Sequence, residues 1–432
     1  MIDLLIIHAG ELLTCRTDSN GAAGAELQQL EIILDGAVAI EGNRIIEAGA
    51  TSALQQYFGD ARKILDAHGR LVSPGLVDCH SHLVHAGSRH EEYERLITGR
   101  SNSVGRLDSG IRYTVNKTRE AGDAFLRDQA LADLDVMLAH GTTTLEAKSG
   151  YGLDYDTELR LLQIQHSLQH EIDVVSTYLG AHVLPDEYRD RRNDYIDLVI
   201  HTLPEAKPYA EYCDVCCDPI GFTPDECARI CDAAKALGFR LKFHADQTGY
   251  SGGSELAAKY QAKSADHLDY ISAEGIRSMA LSGTIGVLLP SVTFHMMEMV
   301  PKIEKGRLVP APKAFLPLAV QRMIEGGMWL AISADYNPGT SPSQSMQMAM
   351  QTAARLYRLG SPEIWHMSTI NAAWALDRAS DRGSIEVGKR ADLVIWKVNH
   401  HGMVINRFGV NLVDTVIKNG KAVIENQKVI QV

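Results

Sequence analysis

Residues 74–89 read PGLVDCHSHLVHAGSR, an apolar strand-like run that nevertheless carries Asp78, His80, His82, His85 and Arg89. A buried strand normally takes Val, Leu and Ile. An imidazole or guanidinium buried without a partner costs roughly 1–3 kcal/mol or more. These side chains therefore sit on a solvated edge, or they converge on something that satisfies them. Imidazoles two residues apart on a strand share one face, so His80 and His82 are expected to point inward together.

The run is the first of a series. Between residues 73 and 382, apolar strand-like stretches alternate with helical ones in about eight units over ~310 residues. That is the size of a (β/α)8 barrel with insertions. The polar residues fall at the C-terminal ends of the strand-like stretches: VDCHSH, LEAKSGYG, LGAHVLP, LKFHADQ, SADHLD and ISADYNPGT. In an α/β barrel all those ends open onto one face, where the active site lies. The two ends of the chain have a different texture, short alternating strands with EGN and KNGK turns. The expected fold is α/β: a TIM-like barrel over 73–382, with a small β-sandwich domain built from residues 1–72 and 383–432.

Composition narrows the function. Forty-two Lys and Arg against 54 Asp and Glu give a net charge of −12. With no basic block, this argues against a nucleic-acid or membrane-surface partner. The N-terminal MIDLLIIHAGELL has no basic leader and is broken by Asp3 and His8, so it reads as a strand. No apolar run reaches the ~18 residues of a membrane span. A cytoplasmic protein handling a small molecule is expected. The seven cysteines, including the Cys213, Cys216 and Cys217 cluster, read as reduced core thiols rather than a metal site.

His80 and His82 alone are a weak signal. Joined by His244, His267 and Asp335 at further strand ends, they become a strong one. Three neutral imidazoles and a carboxylate suit Zn2+ or another first-row divalent ion, with a position left open for water. A metal there would lower the pKa of its water from ~15.7 towards ~7. Asp335 could then accept the proton, and His267 could orient the hydroxide or stabilise an oxyanion. The reaction class is hydrolysis at an amide-like or amidine-like carbon.

These motifs resemble the amidohydrolase superfamily, closer to its mononuclear members. PGLVDCHSHLVHAGSR, TTTLEAKSGYGLDYDTELRLL, GAHVLP, HADQ, SADHLDY and ADYNPGTSP are similar to the imidazolonepropionase family nearly throughout 73–382. That family opens 4-imidazolone-5-propanoate to N-formimidoyl-L-glutamate in histidine degradation. The resemblance implies one divalent ion per chain, Zn2+ or Fe, on His80, His82, His244 and Asp335. It implies reacting groups at His267, Asp335 and Gln247, and substrate contacts at Arg89, Tyr151, His182, Gln247, Asn337, Gly339 and Thr340.

A propionate tail calls for a fixed guanidinium, which Arg89 can supply as a bidentate fork. A pairing of Arg89 with Glu91 or Glu92 is the competing account. The Asn337–Gly339–Thr340 turn would offer amide, backbone N–H and hydroxyl donors. The expected substrate is a small anion, and the expected assembly is a homodimer. The chain departs from the family at RSNSVGRLDSGIRYTV (100–115) and SVTFHMMEMV (291–300), which would border the substrate. A deaminase or hydrolase of a related oxo- or thioxo-imidazolidine propionate is the alternative within the superfamily. A silent barrel kept for binding is the alternative outside it, and intact metal ligands count against that one.

His85 reads as a supporting residue, and Glu146 with Lys148 as a buried ion pair under the site. His166 and His170 read as one exposed helix face, and the Met-rich stretches as packing surface.

Overall fold

The run Leu4–Ile7 packs on both sides of one strand. Leu4 and Ile6 join a core with Val38, Ile395 and Ile417, while Leu5 and Ile7 join one with Ala37 and Leu54. The second side is covered by the helix Thr51–Phe58. Alternate side chains point to opposite faces, so an unbroken apolar run marks a strand buried on both.

The computed structural model describes residues 2–19, 21–98, 110–296, 302–304, 307–309, 316–426 and 428–429. The strand Leu4–Leu13 pairs with Ile32–Glu41, Lys63–Asp66 and Leu71–Pro74. Leu71–Pro74 in turn pairs with Leu393–Trp396, and Leu393–Trp396 with Val413–Lys418. Strands from both chain ends thus share one nine-stranded mixed sheet. This mixed sheet is the β domain expected from the two chain ends. It also reaches past residue 72, because Ser73 and Pro74 still pair with Val394 and Leu393.

The barrel has eight parallel strands: β1 (Leu76–Asp78), β2 (Thr142–Lys148), β3 (Asp173–Ala181), β4 (Tyr212–Cys217), β5 (Arg240–Ala245), β6 (Ser264–His267), β7 (Ile285–Leu288) and β8 (Leu330–Ile332). Each pairs with the next in chain order. The cylinder closes just past the ends of β1 and β8. There Asp335 N donates to His80 O at 3.0 Å and His82 N to Tyr336 O at 2.8 Å. Asp78, at the tip of β1, accepts from Ala334 N at 3.1 Å and from the Ser333 hydroxyl. Burial raises its carboxyl to about 6. Asp78 therefore holds the seam, and the histidines after it face inward.

Barrel interiors are ordinarily filled by Val, Ile and Leu. Here Glu146, Lys148, Asp214, Lys242 and Asp266 are fully buried, and they lie on β2, β4, β5 and β6. The period of two along each strand carries Glu146 and Lys148 to one face, and Lys242 and His244 to one face.

The outer helices start on ordinary signals. Pro224–Ala236 opens with a capping box of Thr223 and Glu226 and a proline in its first turn. All seven cysteines are buried and unpaired. Met346 and Met350 pack in the core. His170 is not on a helix: Tyr155–Ser167 ends before it, and its Nε2 lies 3.1 Å from Asp135. His166 is exposed beside the Tyr209 ring. Of the two departing segments, residues 100–109 and 297–300 lie outside the described residues. No helix among the described residues is long and apolar enough to cross a membrane.

Candidate metal centre and substrate cavity

His80, His82, His244, His267 and Asp335 meet at the C-terminal mouth of the barrel. The His80 ring centroid lies 5.5 Å from that of His82, 4.6 Å from His244 and 5.5 Å from His267. Asp335 Oδ1 stands 3.6 Å from Nε2 of both His80 and His82. Its Oδ2 is 3.9 Å from His267 Nε2. Three overlapping clusters have all ligand atoms within 4.8 Å: His80/His244/His267, His82/His182/His244 and His80/His82/Asp335. The four expected ligands are thus drawn to one place, with His182 and His267 beside them.

Local backbone makes this possible. His267 has φ 79° and Asp335 φ 51°. Non-glycine residues adopt these left-handed values rarely and at a cost. Each occurs where a strand ends and its side chain must turn into the mouth.

The residues fit a divalent cation. His80 Nε2 and His244 Nε2 are buried with no hydrogen-bond partner among the described residues, an expensive state for a polar atom. Behind them, His80 Nδ1 donates to Asp266 at 2.6 Å, and His244 Nδ1 lies 3.1 Å from Asp214. A carboxylate behind a ring fixes the tautomer that leaves the far nitrogen's lone pair free for a metal. Burial holds the pKa of His80, His82 and His267 well below the usual imidazole value, and neighbouring positive charge adds to it. They are neutral donors. Burial works the same way on His244, but Asp214 outweighs it and holds that ring's pKa up. Burial pushes the Asp335 carboxyl up to about 7.

Below the histidines is a buried charge network. Lys148 Nζ contacts Asp214 at 2.7 Å, Glu146 at 2.9 Å and Asp266 at 3.5 Å. Lys242 Nζ donates to Glu146 at 2.7 Å and to Cys79 O at 3.1 Å. The expected Glu146–Lys148 pair is therefore part of a five-residue cluster. The sequence reading missed Asp214, Lys242 and Asp266. A signal was present for two of them: Lys242 is two residues from His244, and Asp266 is adjacent to His267.

A cavity of about 580 Å³ opens above, lined by ten of the twelve expected site residues, all but His80 and Gly339. Gly339 lies under Arg89, where an added Cβ would overlap Nη1 and Cζ of the guanidinium. The turn differs from expectation. Asn337 Oδ1 accepts from Gly339 N at 2.9 Å and Thr340 N at 2.8 Å, while its amide donates to Asp335 O at 2.7 Å and Oδ1 at 3.2 Å. The turn's donors serve one another and hold Asp335. Arg89 pairs with Glu92, Nη2 to Oε1 at 2.5 Å and Nε to Oε2 at 3.2 Å. Its balancing anion is therefore on the chain itself.

His182 Nδ1 donates to Gly150 O at 3.0 Å, and its ring stacks on His82 at 5.1 Å. Burial, then His244, lowers its pKa to about 3. His85 Nδ1 donates to His82 O at 2.9 Å, a supporting role. Gln247 is held through its backbone N–H, which donates to Asp218 at 2.7 Å.

The Ser149–Leu153 loop carries Tyr151 and is clamped from two sides. The buried Glu158 carboxylate accepts from Gly152 N at 2.7 Å, Leu153 N at 2.9 Å and Gly150 N at 3.0 Å. Arg119 donates to Gly152 O at 2.7 Å and Leu153 O at 3.1 Å. Glu158→Gln sets an amide NH2 against backbone donors, so a loss of about 1–3 kcal/mol is expected. Urea unfolding reads it, and an unchanged midpoint would refute the clamp.

Residues 218–423 match the model of the Amidohydrolase family. The chain is 43% identical over 401 residues to a curated imidazolonepropionase of Treponema denticola, covering 91% of this chain and 93% of that one. It is 39% identical over 436 residues to one of Alkaliphilus oremlandii, covering 99% and 100%. Among solved structures the fold is similar to a zinc-bound adenosine deaminase from Xanthomonas campestris (TM-score 0.69, 18% identity, 100% and 95% of the two chains). It is also similar to an atrazine chlorohydrolase mutant from Arthrobacter aurescens complexed with zinc and atraton (TM-score 0.73, 16% identity, 99% and 97%). With the site geometry and this near full-length similarity together, the chain belongs to the imidazolonepropionase family of amidohydrolases.

Proposed function

We propose that this chain adds water to 4-imidazolone-5-propanoate and opens its ring to N-formimidoyl-L-glutamate, a step of histidine degradation. The observation that carries the reading is the convergence of His80, His82, His244 and Asp335 at the floor of a cavity that Arg89 also lines. The relatives named imidazolonepropionase, 36–43% identical over nearly the whole chain, support it.

His80, His82, His244 and Asp335 would hold one divalent ion, Zn2+ or Fe. When bound, such an ion supplies Lewis acidity and lowers the pKa of water towards ~7. The other steps belong to the chain. Asp335 Oδ2 takes a proton from the attacking water and returns it to the leaving ring nitrogen. His267, beside that oxygen, orients the water. His182, with Nδ1–H committed to Gly150, presents Nε2 as an acceptor for a ring N–H. Burial raises the pKa of Tyr151, so its phenol stays protonated as a donor. Gln247 reads the polar edge of the ring.

Arg89 binds the propionate. A bidentate charge-assisted pair contributes roughly 1.5–3 kcal/mol, so Arg89→Ala should lower kcat/KM by about 10- to 150-fold. Arg89→Lys should not restore it. On a substrate lacking the carboxylate, wild type and Arg89→Ala should perform alike, and an equal loss on both substrates would return Arg89 to loop structure. Turnover of 4-imidazolone-5-propanoate by the purified protein tests the whole reading. No turnover by metal-replete protein would sink it.

A further inference from the structure

We infer that Glu92 is a positioning residue for the substrate's carboxylate: it holds Arg89 by one edge of the guanidinium and leaves the other edge for the ligand. The inference rests on the proposed propionate substrate. A guanidinium offers five N–H donors in a fixed plane. Glu92 takes the side edge, through Nε and Nη2. Neither bond to Glu92 uses Nη1, and with the second Nη2–H it forms the end edge of the fork. A carboxylate meeting that edge gains two parallel charge-assisted bonds.

Glu92 is itself anchored. It sits in the first turn of the helix His90–Thr98, where a negative charge suits the helix dipole. Its Oε2 accepts from Gly110 N at 2.6 Å. Gly339, having no Cβ, lets the guanidinium lie flat against the β8 turn. Arg89 is thus fixed by Glu92 on one edge and by Gly339 across its face. The Arg89 side chain is 11% exposed against 33% for Glu92, so Glu92 lies towards the rim with Arg89 further in.

The alternative is that Glu92 occupies the ligand's own place and competes with it. The two accounts predict opposite signs. If Glu92 positions Arg89, Glu92→Ala frees a long flexible side chain, and immobilising it again opposes binding.

The test uses the metal-replete full chain and two probes, 3-(imidazol-4-yl)propanoate and the neutral 4-ethylimidazole, with Kd measured by calorimetry. Glu92→Ala is expected to weaken the carboxylate probe about tenfold and leave the neutral probe unchanged. In turnover, KM should rise about tenfold with kcat within about twofold. Glu92→Gln, which keeps the size and the acceptor for Gly110 N–H, should fall between and serves if the alanine variant does not fold. Tighter binding of the carboxylate probe by either variant would overturn the inference in favour of competition. Equal weakening of both probes would overturn it in favour of loop structure. Wild type that prefers the carboxylate probe, with a Glu92→Ala protein that keeps the same preference, removes this inference alone. Wild type with no preference removes the propionate reading as well.

Discussion

Asp335→Asn is expected to lower kcat/KM by about 10²- to 10⁴-fold, the range for loss of a positioned proton-transfer group. The substitution preserves shape, so the seam bond from Asp335 N to His80 O should survive. What it removes is the negative charge that His80, His82 and His267 surround. His244→Ala should show the complementary result. Its ring is within reach of both His80 and His82, and without it the bound metal per chain, read by plasma mass spectrometry, should fall well below one equivalent. Full metal content and full rate in His244→Ala would refute the ligand assignment. A fully active Asp335→Asn would refute the proton role.

The second large effect concerns stability. Lys148→Met should destabilise the fold by about 3–5 kcal/mol, because removing one partner of a buried pair strands the others. Here three fully buried carboxylates lose their shared ammonium: Glu146 keeps Lys242 as a cation, and Asp266 and Asp214 keep the rings of His80 and His244. Burial alone would drive the proton off Lys148, but those carboxylates reverse the effect and raise its pKa. A surface control is available in Lys117, whose pair with Glu120 has side chains 44% and 64% exposed. Lys117→Met should change stability by under about 1 kcal/mol. Urea midpoints compare the two, and a Lys148→Met protein as stable as the control would remove the network from the stability account. Lost stability should come with weaker metal binding, since Asp266 and Asp214 stand behind His80 and His244. Disturbing such partners typically lowers metal affinity 10- to 100-fold.

Six of the eight strands were readable because they combine a short apolar run with polar residues at or just past the C-terminal end, and barrel geometry gathers those ends. The histidines and the aspartate that converge at the mouth were readable for the same reason. Asp214, Lys242 and Asp266 were not, since their meaning lies in pairing across strands, and a single charge in an apolar run does not name its partner. Arg89 shows the limit from the other side. The need for an anion beside it was legible, and so were Glu91 and Glu92 as candidates on the chain; which of them pairs was not, and it is Glu92. The Asn337 turn likewise offers donors in sequence and consumes them in space. His170 follows helical spacing from His166, yet the helix ends at Ser167.

The seam between β1 and β8 sets an order on the protein's birth. Ser333 and Asp78, which meet there, are 255 positions apart. A chain emerging from the ribosome exposes His80 and His82 early, and Asp335 only after some 250 further residues have been added. Contacts this distant form late, because a long loop must close first. The nascent chain first carries His80 and His82 alone, gains His244 and His267 much later, and completes the set only when Asp335 emerges. Closure of the cylinder and completion of the set therefore wait on one and the same late segment, whose backbone bonds to His80 and His82.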